Sequence, residues 1–150
     1  MGVMNPIYLD NNATTAIHPV VAQSMFDCYL SGHVNPESQH KLGRESRREL
    51  EGAREQIGSL LGLHQADIHA DHVFFTSGGT EANNLAIQGY YQASGKKNQL
   101  IISGIEHPSV ATTAAWLSSQ GVCVKVIETL VNGQIDCEHL KSVINDETFL

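Results

Sequence analysis

Apolar residues along this chain fall into two patterns, recurrence at helical spacing and short bulky runs, and the switches between them divide it into elements. Leu42, Leu50, Ala53, Ile57, Leu60 and Leu61 recur near helical spacing as far as Gly62, which predicts a long amphipathic helix. Ahead of it, Pro19 stands where a first helical turn tolerates proline and opens a helix to about Leu30. Gly32 to His40 carries Gly, Asn, Pro and Ser and reads as loop, and Tyr8 to Thr15 is a short extended piece running into Asx and Thr turn chemistry. Val73-Phe74-Phe75-Thr76 predicts a buried strand, which Gly78-Gly79 breaks before a helical pattern resumes from Thr80 to about Ala93. Leu100 to Ser103 predicts a second strand, Pro108 to Ser119 a helix, and Val122 to Ile127 a third strand. Val131-Asn132-Gly133 turns the chain, Asp136 caps a last helix through about Ile144, and Thr148-Phe149-Leu150 begins another strand.

Strands alternating with helices predict an α/β architecture, a mostly parallel sheet with crossover helices. No repeat, low-complexity tract or linker interrupts it. The sequence stops where a strand begins, and a domain ending there would leave a strand edge and apolar faces without partners. The expected organisation is an N-terminal segment with the start of the first helix over residues 1–20, then a large domain over 21–150 that is incomplete at its C-terminal end.

At 150 residues the chain is of single-domain size, and 41% hydrophobic with 17% charged residues marks a soluble globular class. Acidic residues outnumber basic ones 16 to 9, and no basic stripe is longer than Arg44 to Arg48, which argues against nucleic acid as a partner. No run approaches the roughly 20 apolar residues of a membrane helix, and the first residues have neither a basic nor an apolar leader region, so no membrane role and a cytoplasmic location are the expectations. Cys28, Cys123 and Cys137 are odd in number and without CxxC spacing, which argues against disulfides and a zinc knuckle. Cys28 and Cys123, among apolar neighbours, are expected in the core.

Two segments carry candidate chemistry. Thr76-Ser77-Gly78-Gly79-Thr80-Glu81-Ala82-Asn83-Asn84 leads through paired glycines into a helix N-terminus, whose unpaired N–H groups and partial positive charge attract phosphate. It has neither the GK[ST] of a P-loop nor a GxGxxG. A tight turn with Ser77 or Thr80 as an ordinary N-cap is the other reading. Glu106-His107-Pro108-Ser109 stands at the carboxyl end of the next strand, where ligands of open α/β sheets bind, so His107 and Thr80 could share one crevice. His107 would there stack on a ring, donate a hydrogen bond or move a proton; otherwise it is a helix cap or surface residue. His64, His69 and His72 lack the tight spacing of a zinc site and read as a polar loop, so no metal is expected.

Taken in order, Tyr8-Leu9-Asp10-Asn11-Asn12-Ala13-Thr14-Thr15, Asn35-Pro36-Glu37-Ser38-Gln39-His40, Gly43-Arg44, Phe75 to Asn84 and Glu106-His107-Pro108-Ser109-Val110 resemble the group I cysteine desulfurases of the NifS/IscS type. These belong to the fold-type I, aspartate aminotransferase-like enzymes dependent on pyridoxal 5'-phosphate (PLP), and the resemblance covers nearly the whole chain. Asn11-Asn12 and the Thr-Ser-Gly-Gly-Thr-Glu form look like group I rather than the SufS-like group II, while Glu37 departs from the Ser common at that position. The resemblance implies the N-terminal part of the PLP-binding large domain, with Gly79 and Thr80 holding the cofactor phosphate. It implies that His107 stacks on the pyridine ring and helps proton transfers, and that Asn11 to Thr15 approaches the substrate side. The implied reaction converts L-cysteine to L-alanine, leaving a persulfide that feeds iron–sulfur cluster and thionucleoside assembly. A homodimer and sulfur-acceptor or scaffold partners are implied as well. The family's Schiff-base Lys, the Asp that pairs with the pyridine nitrogen and the persulfide Cys match no residue here; Ser38-Gln39-His40-Lys41 only mimics the lysine motif, and the isolated chain is expected to be inactive. Selenocysteine lyases, other fold-type I enzymes and a non-catalytic phosphate-binding or dimerisation fragment are the alternatives.

Overall fold

The computed structural model describes residues 7–64, 70–95 and 97–150; His69 of the histidine-rich stretch and Lys96 lie outside them. The chain forms two compact units, Met1–Phe74 and Phe75–Leu150.

The first unit holds α1 (Pro19–Leu30) and α2 (Lys41–Leu60), both where the pattern predicts helices. Proline opens α1 behind an extended His18, whose ring accepts from the Val20 N–H, and His40 caps α2 in the same way through the Gly43 N–H. The Asn-Pro loop folds back on α2. Val34 N–H donates to the buried Ser46 Oγ at 3.0 Å, and Arg47 reaches both carboxylate oxygens of Glu37 at 3.0 and 3.2 Å. A Cβ on Gly43 would run into the Ser38 carbonyl oxygen, so the loop approaches the helix as closely as only glycine permits. Glu37, the departure from the family pattern, is thus the loop's ionic tie to α2, though an exposed pair of this kind is worth only about 0–1 kcal/mol.

The second unit alternates α3 (Gly79–Ala93), β1 (Gln99–Ser103), α4 (Pro108–Ser119), β2 (Cys123–Ile127) and α5 (Cys137–Val143). β1 and β2 run parallel, from Gln99 opposite Cys123 to Ser103 opposite Ile127. On the other side of β1, Thr148 bridges Gln99 in parallel, and Ile101 N–H donates to the Leu150 carbonyl at 2.9 Å, so the expected last strand is started. Ile87, Leu100, Ala114, Leu117, Val122 and Phe149 form the core between α3, α4 and the sheet, and Tyr91 lies against Phe149 with ring centroids 5.3 Å apart. The buried Gln99 satisfies its amide fully: it donates to the Val143 carbonyl and Thr148 Oγ1 and accepts from Asn145 Nδ2. One side chain therefore anchors the returning segment from the end of α5 to Thr148, and the Gln99 backbone carbonyl accepts from the Phe149 N–H at 2.9 Å.

Two expectations are corrected. Val73 to Thr76 forms no strand, and Phe74 and Phe75 are 72% and 48% exposed. Apolar bulk favours a strand through its fit to a half-buried pleated surface, and two rings this exposed are not held on one. Cys28 and Cys123, expected in the core, are exposed, as is Cys137. Cys28 sits on α1, none of whose residues is buried, and Cys123 opens β2, of which only Ile127 is buried.

Leu117 is fully buried in this core. Leu117→Ala is expected to destabilise the chain by about 2–5 kcal/mol through lost transfer energy and the cavity left behind. Chemical denaturation followed by Trp116 fluorescence checks it; a loss under about 1 kcal/mol would mean that the core closes around the gap.

Candidate functional site

Gly78 precedes α3 in an extended conformation and makes no side-chain cap, whereas His18, His40, His107 and Asp136 cap the other four described helices. Neither Ser77 nor Thr80 is the N-cap; Thr80 is the second residue of the first turn. A Cβ placed on Gly78 or Gly79 would meet nothing within 4 Å, and Gly79 and Thr80 are exposed. The glycines thus leave the approach to these N–H groups free, and the Thr80 hydroxyl stands beside them. Ser77 serves Glu81 instead of the helix end: its N–H and Oγ–H donate to the Glu81 carboxylate at 2.7 and 2.6 Å. These bonds, the hydroxyl first and the backbone N–H second, hold the Glu81 carboxyl below its ordinary 4.5. The carboxylate is turned back onto the preceding turn and leaves the N–H groups of Gly79 and Thr80 to an incoming anion.

His107 follows the carboxyl end of β1 and is also the N-cap of α4, so the cap reading holds and the residue is exposed at the predicted rim. Glu106 closes the turn between them by accepting from the Ser103 hydroxyl at 2.6 Å and the Ser103 N–H at 3.3 Å. The His107 Nδ1 accepts from the Ser109 N–H at 3.1 Å and lies 2.8 Å from Ser109 Oγ. Ser109 is buried, and its Oγ accepts from Asn83 Nδ2 at 2.8 Å. A second polar bridge joins the helices one turn on: Thr113 Oγ1 donates to Asn84 Oδ1 at 2.7 Å, while Asn84 Nδ2 returns to the Thr80 carbonyl at 2.8 Å. Thr80 and His107, the two sequence candidates, are therefore linked through Asn84–Thr113 and Asn83–Ser109.

The sequence alone assigns none of Asn83, Asn84, Ser109 and Thr113 a role. The spacing of Ser109 and Thr113 was available as a signal, since four residues apart puts both on one face of a helix. Asn11 to Thr15 is a turn held by Ala13 and Thr14 N–H donating to the Asp10 carbonyl and by the Thr15 hydroxyl on the Asn11 carbonyl; its residues are exposed. Lys41, Lys97, Lys125 and Lys141 are exposed; Lys41 faces Glu45 at 3.8 Å, and Lys141 pairs with Glu138 at 2.8 Å. A hollow of about 380 Å³ beside β1 is lined by Ile87, Leu100, Ile102 and Ile127 with Asn83 and Glu106 among its polar groups, but neither Thr80 nor His107 borders it.

This fold and site define a class. The family model for aminotransferase class-V matches residues 7–150, and the chain belongs to that family. A cysteine desulfurase of Nostoc sp. is 35% identical over 147 residues, covering 98% of this chain and 36% of that protein. The cysteine desulfurase IscS of Shewanella baltica is 40% identical over 153 residues, covering 97% and 36%. The chain thus spans little more than a third of the length of these curated relatives. Among solved structures, a NifS-like protein superposes with a TM-score of 0.83 at 31% identity over 95% of this chain and 38% of its own. SspA in complex with cysteine gives 0.75 at 29% identity, over 94% of this chain and 40% of its own. The α/β expectation is borne out: the fold is that of the NifS-like proteins.

The Ser77–Glu81 closure makes a pH prediction. Because the folded Glu81 carboxyl lies below 4.5, its contribution to stability is fully present above the unfolded value and is lost as pH falls through the folded one. In Ser77→Ala the larger of the two causes is gone, and the Glu81 midpoint should rise toward 4.5 in a carbon-13 NMR titration. A midpoint that does not move would show that the hydroxyl carries none of the effect.

Proposed function

We propose that this chain is the phosphate-holding part of a PLP-dependent cysteine desulfurase. The observation that carries the reading is the uncapped, open N-terminus of α3, tied by two side-chain bridges to α4, whose N-cap is an exposed histidine just past the end of β1. The residues fit the cofactor. A phosphate dianion suits the N–H groups of Gly79 and Thr80 together with the Thr80 hydroxyl, where the helix dipole adds its partial positive charge. His107, whose ring is accessible, would lie against the pyridine ring and hold or move a proton there. Bound PLP supplies the electron sink for breaking the bonds around the substrate α-carbon.

L-cysteine as substrate is supported by the names of the curated relatives and by the solved complex of SspA with cysteine. Delivery of persulfide sulfur to acceptor or iron–sulfur scaffold proteins, a homodimer and a cytoplasmic location complete the reading. The covalent lysine and the persulfide cysteine would come from the part of such a protein that this chain does not span. Lys41, Lys97, Lys125 and Lys141 are solvated surface ammoniums.

Two measurements test this. In equilibrium dialysis the chain should retain PLP but not pyridoxal, and Thr80→Val should weaken PLP roughly tenfold, the worth of one charge-assisted hydrogen bond. Equal retention of pyridoxal and PLP would sink the phosphate site. The chain mixed with PLP and L-cysteine should release no sulfide; turnover abolished by changing one lysine would show that a catalytic lysine is already present.

A further inference from the structure

The bonds around Ser109 have only one consistent arrangement of protons, and it determines the state of the His107 ring. The Ser109 N–H points its hydrogen at His107 Nδ1, so Nδ1 must offer a lone pair. Ser109 Oγ lies 2.8 Å from the same nitrogen, and two lone pairs cannot face each other at that distance, so the hydroxyl proton must also point at Nδ1. Oγ is then free to accept, and Asn83 offers its Nδ2–H at 2.8 Å. The opposite orientation of the Asn83 amide would draw the hydroxyl proton to Oδ1 and set the serine lone pair against the ring nitrogen. The chain of donors therefore runs Asn83 to Ser109 to His107, and the proton of the neutral ring is left on Nε2. Ser109 is buried while His107 is exposed, so the relay is held in the protein and its output faces outward.

We infer that Asn83 and Ser109 are positioning residues that lock the neutral His107 ring in its Nε2–H tautomer, presenting a donor rather than a base to whatever binds at the rim. The inference deepens the reading of His107 under the proposed function and rests on it for its catalytic meaning. A donor on the exposed nitrogen can hydrogen-bond to a carboxylate, a thiolate or a ring substituent, and it can give up that proton only after Nδ1 has itself been protonated, the ring passing through its imidazolium form. It cannot begin by taking one. Asn83 thereby couples the helix that carries Thr80 to the protonation pattern of His107.

The ring nitrogens of His107 can be read directly in the nitrogen-15-labelled chain, without cofactor, by long-range proton–nitrogen correlation at about pH 8.5, where free imidazole is neutral. Assignment comes from the signals lost in His107→Gln. The wild-type chain should show a bare Nδ1 and a protonated Nε2 in a ratio of roughly ten to one or more, the factor that hydrogen bonds of ordinary worth impose. A protonated Nδ1 in the wild-type chain overturns the inference, whatever the variants do. Asn83→Asp keeps the side chain's shape but can only accept, so it should pull the serine proton away and raise the protonated-Nδ1 signal several-fold. Adding Ser109→Ala to Asn83→Asp removes the intermediary and should restore a bare Nδ1, because only the backbone N–H then addresses it. An unchanged tautomer in Asn83→Asp, or a double variant that behaves like Asn83→Asp alone, would show that no relay exists. These signals are independent of PLP retention, so a failure of the phosphate site and a failure of the relay are separate results.

Discussion

The packing of α3 against α4 depends on two side-chain bridges set into an apolar contact. Ile87, Ala114 and Leu117 exclude water from this interface, while Asn83–Ser109 and Asn84–Thr113 cross it. Apolar contacts alone tolerate a shift of one helix along the other, because a slid leucine still finds apolar neighbours. Buried hydrogen-bonding groups do not, since each one left unpaired costs about 1–3 kcal/mol. A slip by one turn would strand several of them at once. The polar pairs therefore set the register, and with it the spacing between the first turns of both helices, where Thr80 and His107 stand.

The turns into these two helices are closed by the same device. Ser77 donates to Glu81 ahead of α3, and Ser103 donates to Glu106 ahead of α4. In both, a carboxylate close to a helix start accepts from the backbone N–H and the hydroxyl of a serine three or four residues earlier. The carboxylate keeps its charge, but an unpaired Glu beside a phosphate site would also compete for its N–H donors. Bound to Ser77, the Glu81 carboxylate gives up that competition and leaves N–H groups open at the start of α3.

Much of this was legible in the sequence. The helices were, because proline at the first turn and Asp136 at a cap are local signals, and because the period of Leu50, Ala53, Ile57 and Leu61 needs no distant partner to be read. The Gly-Gly-Thr turn and His107 were legible for the same reason. Where the outcome depended on pairing across space, the pattern misled. Val73 to Thr76 has the composition of a strand but forms none, and the apolar neighbours of Cys28 and Cys123 along the chain do not bury them. Asn83, Ser109 and Thr113 show the limit in the other direction. Each is an unremarkable polar residue in a helix when read alone, and only the crossing of α3 over α4 makes them partners.

That difference bears on what kind of information a functional histidine needs. The identity and position of His107 come from a short segment after the end of a strand, but its tautomer is decided by the hydroxyl of Ser109, two residues on, and through that hydroxyl by the amide of Asn83 on the preceding helix. A motif can therefore name the residue without stating whether it presents a donor or a lone pair. In this chain the rim chemistry and the helix packing share the same atoms: the Ser109 Oγ that helps fix α3 against α4 also fixes the ring. A substitution at Ser109 or Asn83 that left the fold intact would still alter the site, because no second group among the described residues is placed to supply the hydroxyl proton to Nδ1.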